Sequence, residues 1–91
     1  MSMTDLPSKA HDDRVLLESI VRRLVSAPEA VLVRAREEAD STYLLITVAQ
    51  QDAGKVIGKQ GRTADAIRHL FACVGSLERR KVYIEIDDLR I

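Results

Sequence analysis

The sequence predicts an α+β domain of two layers, with three helical segments on one face of a three-stranded mixed sheet in the order α-β-β-α-α-β. Three observations lead there. Apolar residues recur at helical spacing around 16–24 and 66–74, and alternate with a period of two at 31–36, 42–48 and 82–87. Only a short polar link separates the first two alternating runs, so they pair antiparallel. The third is reached through a helical crossover, which lets it lie parallel to the second.

A chain of 91 residues holds one such domain. At this size roughly 60–65% of the unfolded surface is buried, so most apolar residues must share one core. The composition suits that, with 46% hydrophobic and 31% charged residues. Tyr43, Tyr83 and Phe71 are the only aromatics. The core must be aliphatic, and the same scarcity argues against a binding surface built from rows of stacking rings.

Residues 1–11 are polar, contain Pro7 and lack periodicity, as expected of a flexible tail, leaving 12–91 as the domain. A helix begins near Asp12 or Asp13, whose carboxylates favour the free amides of a first turn. Leu16, Leu17, Ile20, Val21 and Leu24 form its apolar side, and Ser26-Ala27-Pro28 ends it. Val31, Val33 and Ala35 line one face of the first strand, and Glu37-Glu38-Ala39-Asp40-Ser41 reads as a solvated hairpin link. In the second strand Leu44, Ile46 and Val48 oppose Tyr43, Leu45 and Thr47, so both faces are apolar and the strand is central. A short helical piece over 52–57 is interrupted by Gly58-Lys59-Gln60-Gly61. The helix that starts at Arg62 has Ala66, Ile67, Leu70, Phe71 and Val74 as its stripe and Gly75 as its stop. Cys73, beside that stripe, reads as an inert buried thiol.

Fourteen basic residues balance fourteen acidic ones, which excludes a polycation that coats DNA through bulk charge. A single cysteine forms no internal disulfide and no metal-binding cysteine cluster, and His11 and His69 lack the neighbours of a metal site. The longest apolar run, from Leu70 to Val74, is far short of a membrane span, and residues 1–9 lack the apolar core of a secretion signal. The expected compartment is cytoplasmic. Neither a cofactor nor a membrane partner is called for.

The most informative run is Val56-Ile57-Gly58-Lys59-Gln60-Gly61-Arg62-Thr63. Two glycines strip a tight interhelical turn of side chains, so a ligand backbone can approach closely. The helix beyond presents amides without intrahelical partners, an end that favours anions. Lys55, Lys59, Arg62 and Arg68 outnumber Asp52 and Asp65 there, whereas Glu85, Asp87 and Asp88 make the last strand region acidic. Two phosphate-loop readings fail on spacing. Gly54 and Gly58 are separated by three residues rather than four and Gln60 follows Lys59, which rules out a mononucleotide loop. Glycines at 54, 58 and 61 do not fit a dinucleotide loop either. A Gly-x-x-Gly turn between two helices, of the kind that clamps a single-stranded nucleic-acid backbone, remains.

With that run and that order of elements, residues 13–87 resemble a KH domain of the bacterial, type II form, in which an extra helix and strand precede the core. The single-domain format and the Lys59-Gln60 pair are most similar to the small KhpA (YlqC) family of bacterial RNA-binding proteins. The resemblance implies RNA rather than DNA, a choice the loop chemistry does not make. It also implies self-association, a larger KH-domain partner of the KhpB (Jag) kind, and a part in RNA regulation, cell elongation and division. Gly58, Lys59, Gln60 and Gly61 correspond to the family's binding loop, with Ile57 just before it.

The mechanism expected is capture, with no recognisable nucleophile and base for catalysis. The loop backbone and the start of the helix at Arg62 hold phosphates, Lys59 and Arg62 add charge, and Lys55 is a further candidate. Bases lie in the groove toward the last strand, with Ile57 and Ile84 as candidate aliphatic walls. Two alternatives stay open: a protein-interaction or dimerisation module of the same fold, and a small enzyme acting on a nucleotide. The sheet face carrying Leu32, Tyr43, Leu45 and Tyr83 is left uncovered by the helices and is the expected surface of a homodimer.

Overall fold

The computed structural model describes residues 9–87. Strands β1 (Leu32–Glu38), β2 (Ser41–Thr47) and β3 (Lys81–Ile86) form one sheet in the order β1-β2-β3. β1 pairs antiparallel with β2, placing Val33 opposite Ile46, and β2 pairs parallel with β3, placing Leu44 opposite Ile84. The central strand is thus the one whose faces are both apolar.

The helices α1 (Lys9–Arg22), α2 (Ala53–Ile57) and α3 (Arg62–Leu77) cover one side of that sheet. α1 packs mainly on β1 and α3 on β3, while α2 leans on α3. Period two and period 3.6 meet in a single core. Val33, Leu44, Ile46 and Ile84 point up from the strands to Leu17 and Val21 of α1, Val56 of α2, and Ile67 and Phe71 of α3. Phe71 is wholly enclosed and is the largest core side chain.

Four local readings are corrected by the tertiary packing. α1 is already helical at Lys9, so residues 9–11 are not tail; residues 1–8 lie outside the described range. Ala10 is buried and its amide donates to the Glu37 carboxylate, and Lys9 pairs with Glu78. These are contacts between distant residues, which no local periodicity reveals. The hairpin strands also run further than the polar link suggests, leaving Ala39-Asp40 as the turn, with Ala39 at φ 43°.

The third correction concerns α3. Its buried stripe is Ala64, Ile67, Phe71 and Gly75, whereas Leu70 is 48% exposed and Cys73 is exposed. Neighbours on a helix differ by about 100° in direction. The pairs Ala66/Ile67 and Leu70/Phe71 therefore cannot both face one flat sheet, and spacing alone does not choose between them.

Fourth, Gly75 does not stop α3, which continues to Leu77. A Cβ on Gly75 would lie 2.6 Å from the Arg80 carbonyl oxygen and 3.0 Å from a Val82 methyl, so the glycine is a notch for the returning chain. The stop is a Schellman motif: the Arg80 amide donates to the Gly75 carbonyl at 2.8 Å and the Arg79 amide to that of Ser76 at 3.1 Å. Arg79 takes the left-handed position at φ 57°, where glycine is usual.

Beyond this turn, Arg80 enters the far end of the core. One guanidinium nitrogen donates to Asp13 at 2.8 Å and to Glu78 at 2.9 Å, and the other donates to the Thr42 hydroxyl. Asp13 and Thr42 are buried, so this clasp fixes α1, β2 and the α3–β3 connection together. Removing one partner would strand a buried charge.

Replacing Arg79 with glycine should relieve the left-handed strain, raising stability by about 1 kcal/mol, read as a higher urea midpoint with an unchanged slope.

Candidate nucleic-acid interface

α2 has only five residues and cannot persist as a helix alone. Ala53 and Val56 bury its inner side, and Asp52 holds its start from below. The Asp52 side chain is fully buried yet does not cap α2. It reaches across the chain instead, accepting from the Ser26 amide at 3.0 Å, the Ser26 hydroxyl at 2.7 Å and the Ala27 amide at 3.0 Å. Lys55 adds an ion pair at 3.2 Å. The Ser26 hydroxyl and amide, with Ala27 and Lys55, hold the Asp52 carboxyl far below the usual carboxylate range despite burial. No sequence signal linked Asp52 to Ser26, because the two are 26 residues apart.

α2 gives way at Gly58, whose backbone (φ 80°, ψ 168°) is essentially restricted to glycine. Space enforces the same choice: a Cβ there would fall 2.6 Å from Thr63 Cβ and 2.7 Å from the Thr63 amide nitrogen. Thr63 is thus part of the loop's packing, a role its place beside the motif did not disclose. The next three residues make a single turn closed by the Gly61 amide on the Gly58 carbonyl at 3.1 Å. Gln60 (φ 57°) and Gly61 (φ 75°) are both left-handed. A Cβ on Gly61 would meet open space, so that residue's requirement is conformational and its surface stays bare.

The sequence-predicted site residues separate into two groups. Lys59, Gln60 and Arg62 are exposed around the turn, and neither cation is in an ion pair among the described residues. Gly61 is the N-cap of α3 and no side chain caps that end, so its first amides are left without a side-chain partner beside both cations. Ile57 is half-buried directly before the turn. In contrast, Lys55 is engaged by Asp52. Arg68 is tied to Asp65 at 3.4 Å and donates through Nε to the Ile84 carbonyl at 3.2 Å. Ile84 itself sits in the core at 6% exposure, so it offers little side chain to a groove.

Gly54 lies exposed on α2, and a Cβ there would have no neighbour within 4 Å, so close helix packing does not explain it. Its bare surface continues that of the loop. Among the described residues no group of three His, Cys, Asp or Glu side chains is placed to hold a metal ion. No helix among them is long and apolar enough to cross a membrane.

The two glycines should respond unequally to alanine. Gly58→Ala meets both a forbidden backbone region and Thr63, costing about 2–3 kcal/mol of stability; Gly61→Ala incurs only left-handed strain, about 1 kcal/mol. Urea unfolding of the two variants measures the difference. Acid titration tests Asp52. Its folded-state pKa lies below its unfolded one, so its contribution is complete above about pH 4 and drains away as the pH falls further. Asp52→Asn should be less stable than the parent at neutral pH, with the gap narrowing in acid.

The family description KhpA/KhpB, KH domain, matches residues 14–86. Over 71 residues the chain is 45% identical to the RNA-binding protein KhpA of Listeria monocytogenes serovar 1/2a, covering 78% of this chain and 93% of that protein. It is 37% identical over 75 residues to the KhpA of Halalkalibacterium halodurans, covering 82% and 99%. With the KhpA of Chlamydia trachomatis serovar D it shares 42% identity over 74 residues, covering 81% and 95%. The order of elements, the glycine turn between α2 and α3 and these similarities agree: the chain belongs to the KhpA/KhpB family of KH domains.

Proposed function

We propose that this protein binds single-stranded RNA through the 58–61 loop and the adjoining groove, as an RNA chaperone or post-transcriptional regulator in the cytoplasm. The observation that carries the reading is the arrangement at the turn. Lys59 and Arg62, which are in no ion pair among the described residues, flank bare glycine backbone at the start of a sixteen-residue helix that no side chain caps. Phosphate oxygens accept from the amides while the cations neutralise charge. RNA rather than DNA follows from the relatives, which are named RNA-binding proteins. The contacts expected are with about three phosphates, giving a log–log salt slope of about −2 on a single strand.

Self-association is a second reading, and one observation favours it. Ala66, Leu70, Cys73 and Leu77 are exposed along the outer side of α3 at four-three-four spacing, with Leu77 at 87% exposure. That is the seam two helices use to pack. It is a more continuous apolar stripe than the open sheet face, where Arg34, Arg36 and Glu85 interrupt Leu32 and Leu45. Two copies joined there would raise RNA affinity through effective concentration. A larger KH-domain partner of the KhpB kind is a further proposed partner of the same stripe.

Replacing Lys59 and Gln60 together with aspartate should leave the fold intact and abolish most binding of a short single-stranded RNA, read by titration at two salt concentrations. Equal affinity for the folded variant and the parent would overturn the loop assignment. Concentration-dependent mass that persists in the same variant would place self-association elsewhere than the loop.

A further inference from the structure

Both tyrosines project from the sheet face opposite the helices, and they are direct partners in the parallel register of β2 and β3. Their rings stack, with centroids 5.1 Å apart and planes 17° from parallel. Arg36, the partner of Tyr43 in β1, lays its guanidinium 4.6 Å from the Tyr43 ring centre. A row of three planar groups therefore runs across the sheet, closed at the β1 end by a cation. The β3 end is open. β3 is an edge strand, Tyr83 is 45% exposed, and the ring face turned away from Tyr43 looks past the edge.

Two cavities of about 480 and 330 Å³ lie at that edge, and Tyr83 lines both together with Ala72 of α3. Arg79 and Lys81 line the first, Arg68 and His69 the second. Arg79 and Lys81 are in no ion pair among the described residues. Glu85 also lines the second cavity and Arg68 is held by Asp65, so the free positive charge lies on the Arg79–Lys81 side. An open aromatic face flanked there by two cations matches a nucleobase with its phosphates better than it matches an apolar protein surface. The position is also continuous with the proposed interface. α3 runs antiparallel to β3, with Arg68 beside Ile84 and Gly75 beside Val82, so a strand leaving the loop along this groove reaches Tyr83.

We infer that the outward ring face of Tyr83 is a second contact for single-stranded RNA, stacking a base of the strand whose backbone the 58–61 loop holds. Arg79 and Lys81 take the phosphates on either side. This rests on the RNA-binding reading above and extends it: a loop of this kind accommodates about four nucleotides, and the Tyr83 contact is available only to longer strands.

The protein reports on the contact itself, because it has no Trp and only two Tyr, both in the stack. Four- and ten-nucleotide oligouridine would be titrated against the parent, Tyr83→Phe, Tyr83→Leu and the Lys59→Asp/Gln60→Asp variant, following affinity and tyrosine emission. The ten-mer should bind the parent about tenfold more tightly than the four-mer and quench its emission. Tyr83→Phe should keep that length-dependent gain; Tyr83→Leu should lose it while binding the four-mer as the parent does. Absence of quenching by the ten-mer in the parent, or an undiminished gain in Tyr83→Leu, overturns the inference. So does a fall in the mass of Tyr83→Leu without RNA, which would make this face a protein contact. Four-mer binding untouched by the loop substitutions defeats the loop reading alone, since ten-mer quenching would still mark the ring.

Discussion

The buried carboxylate of Asp52 is the interaction on which the candidate interface depends. α2 is too short to hold its own shape, and the loop it presents is a single strained turn. Asp52 fastens the start of α2 to the Ser26–Ala27 backbone, which leads from α1 into β1. Charge-assisted hydrogen bonds from two amides and a hydroxyl compensate the desolvation of the carboxylate. The start of α2, and with it the backbone leading into the loop, is thereby fastened to the segment that enters the sheet.

The distribution of ion pairs leaves a neutral chain with unpaired cations at the turn and at the β3 edge. Several basic residues are engaged within the fold: Arg14 and Arg22 by Glu18, Arg36 by Glu38, Lys55 by Asp52, Arg68 by Asp65, and Arg80 by Asp13 and Glu78. Pairing within the fold silences these charges as far as a partner is concerned. Among the described residues Lys59 and Arg62 at the turn, Arg79 and Lys81 at the β3 edge, and Arg23 and Arg34 elsewhere are in no ion pair. Surface pairs of the first kind add little stability. Their effect is to leave the free cations distinct from the background.

Close approach of backbone is the other recurring device. At Gly58 it lets Thr63 fold back under the turn, and at Gly75 it lets the chain re-enter as β3 directly against α3. Both glycines are structural, at opposite ends of the same helix. Gly61 and Gly54 are different, since open space surrounds them and what they contribute is uncovered backbone. One residue type thus serves packing at two places and access at two others.

The architecture and the identity of the loop were legible in the order of residues alone. Alternation in the three strands, the helical stripes and the Gly58-Lys59-Gln60-Gly61 turn are local patterns, and a local pattern can be read from neighbours in the chain. Even there the reading had limits: spacing could not choose Phe71 over Leu70 for the core, and Arg79 hid a helix stop where glycine would have announced one. Packing in three dimensions settled which cations are free, that Asp52 bonds to Ser26, that residues 9–11 are helix, and that two scarce tyrosines stack. The last three of these join residues far apart in the chain. Which distant groups meet depends on strand register and on how the helices settle on the sheet, and no short window of sequence contains either.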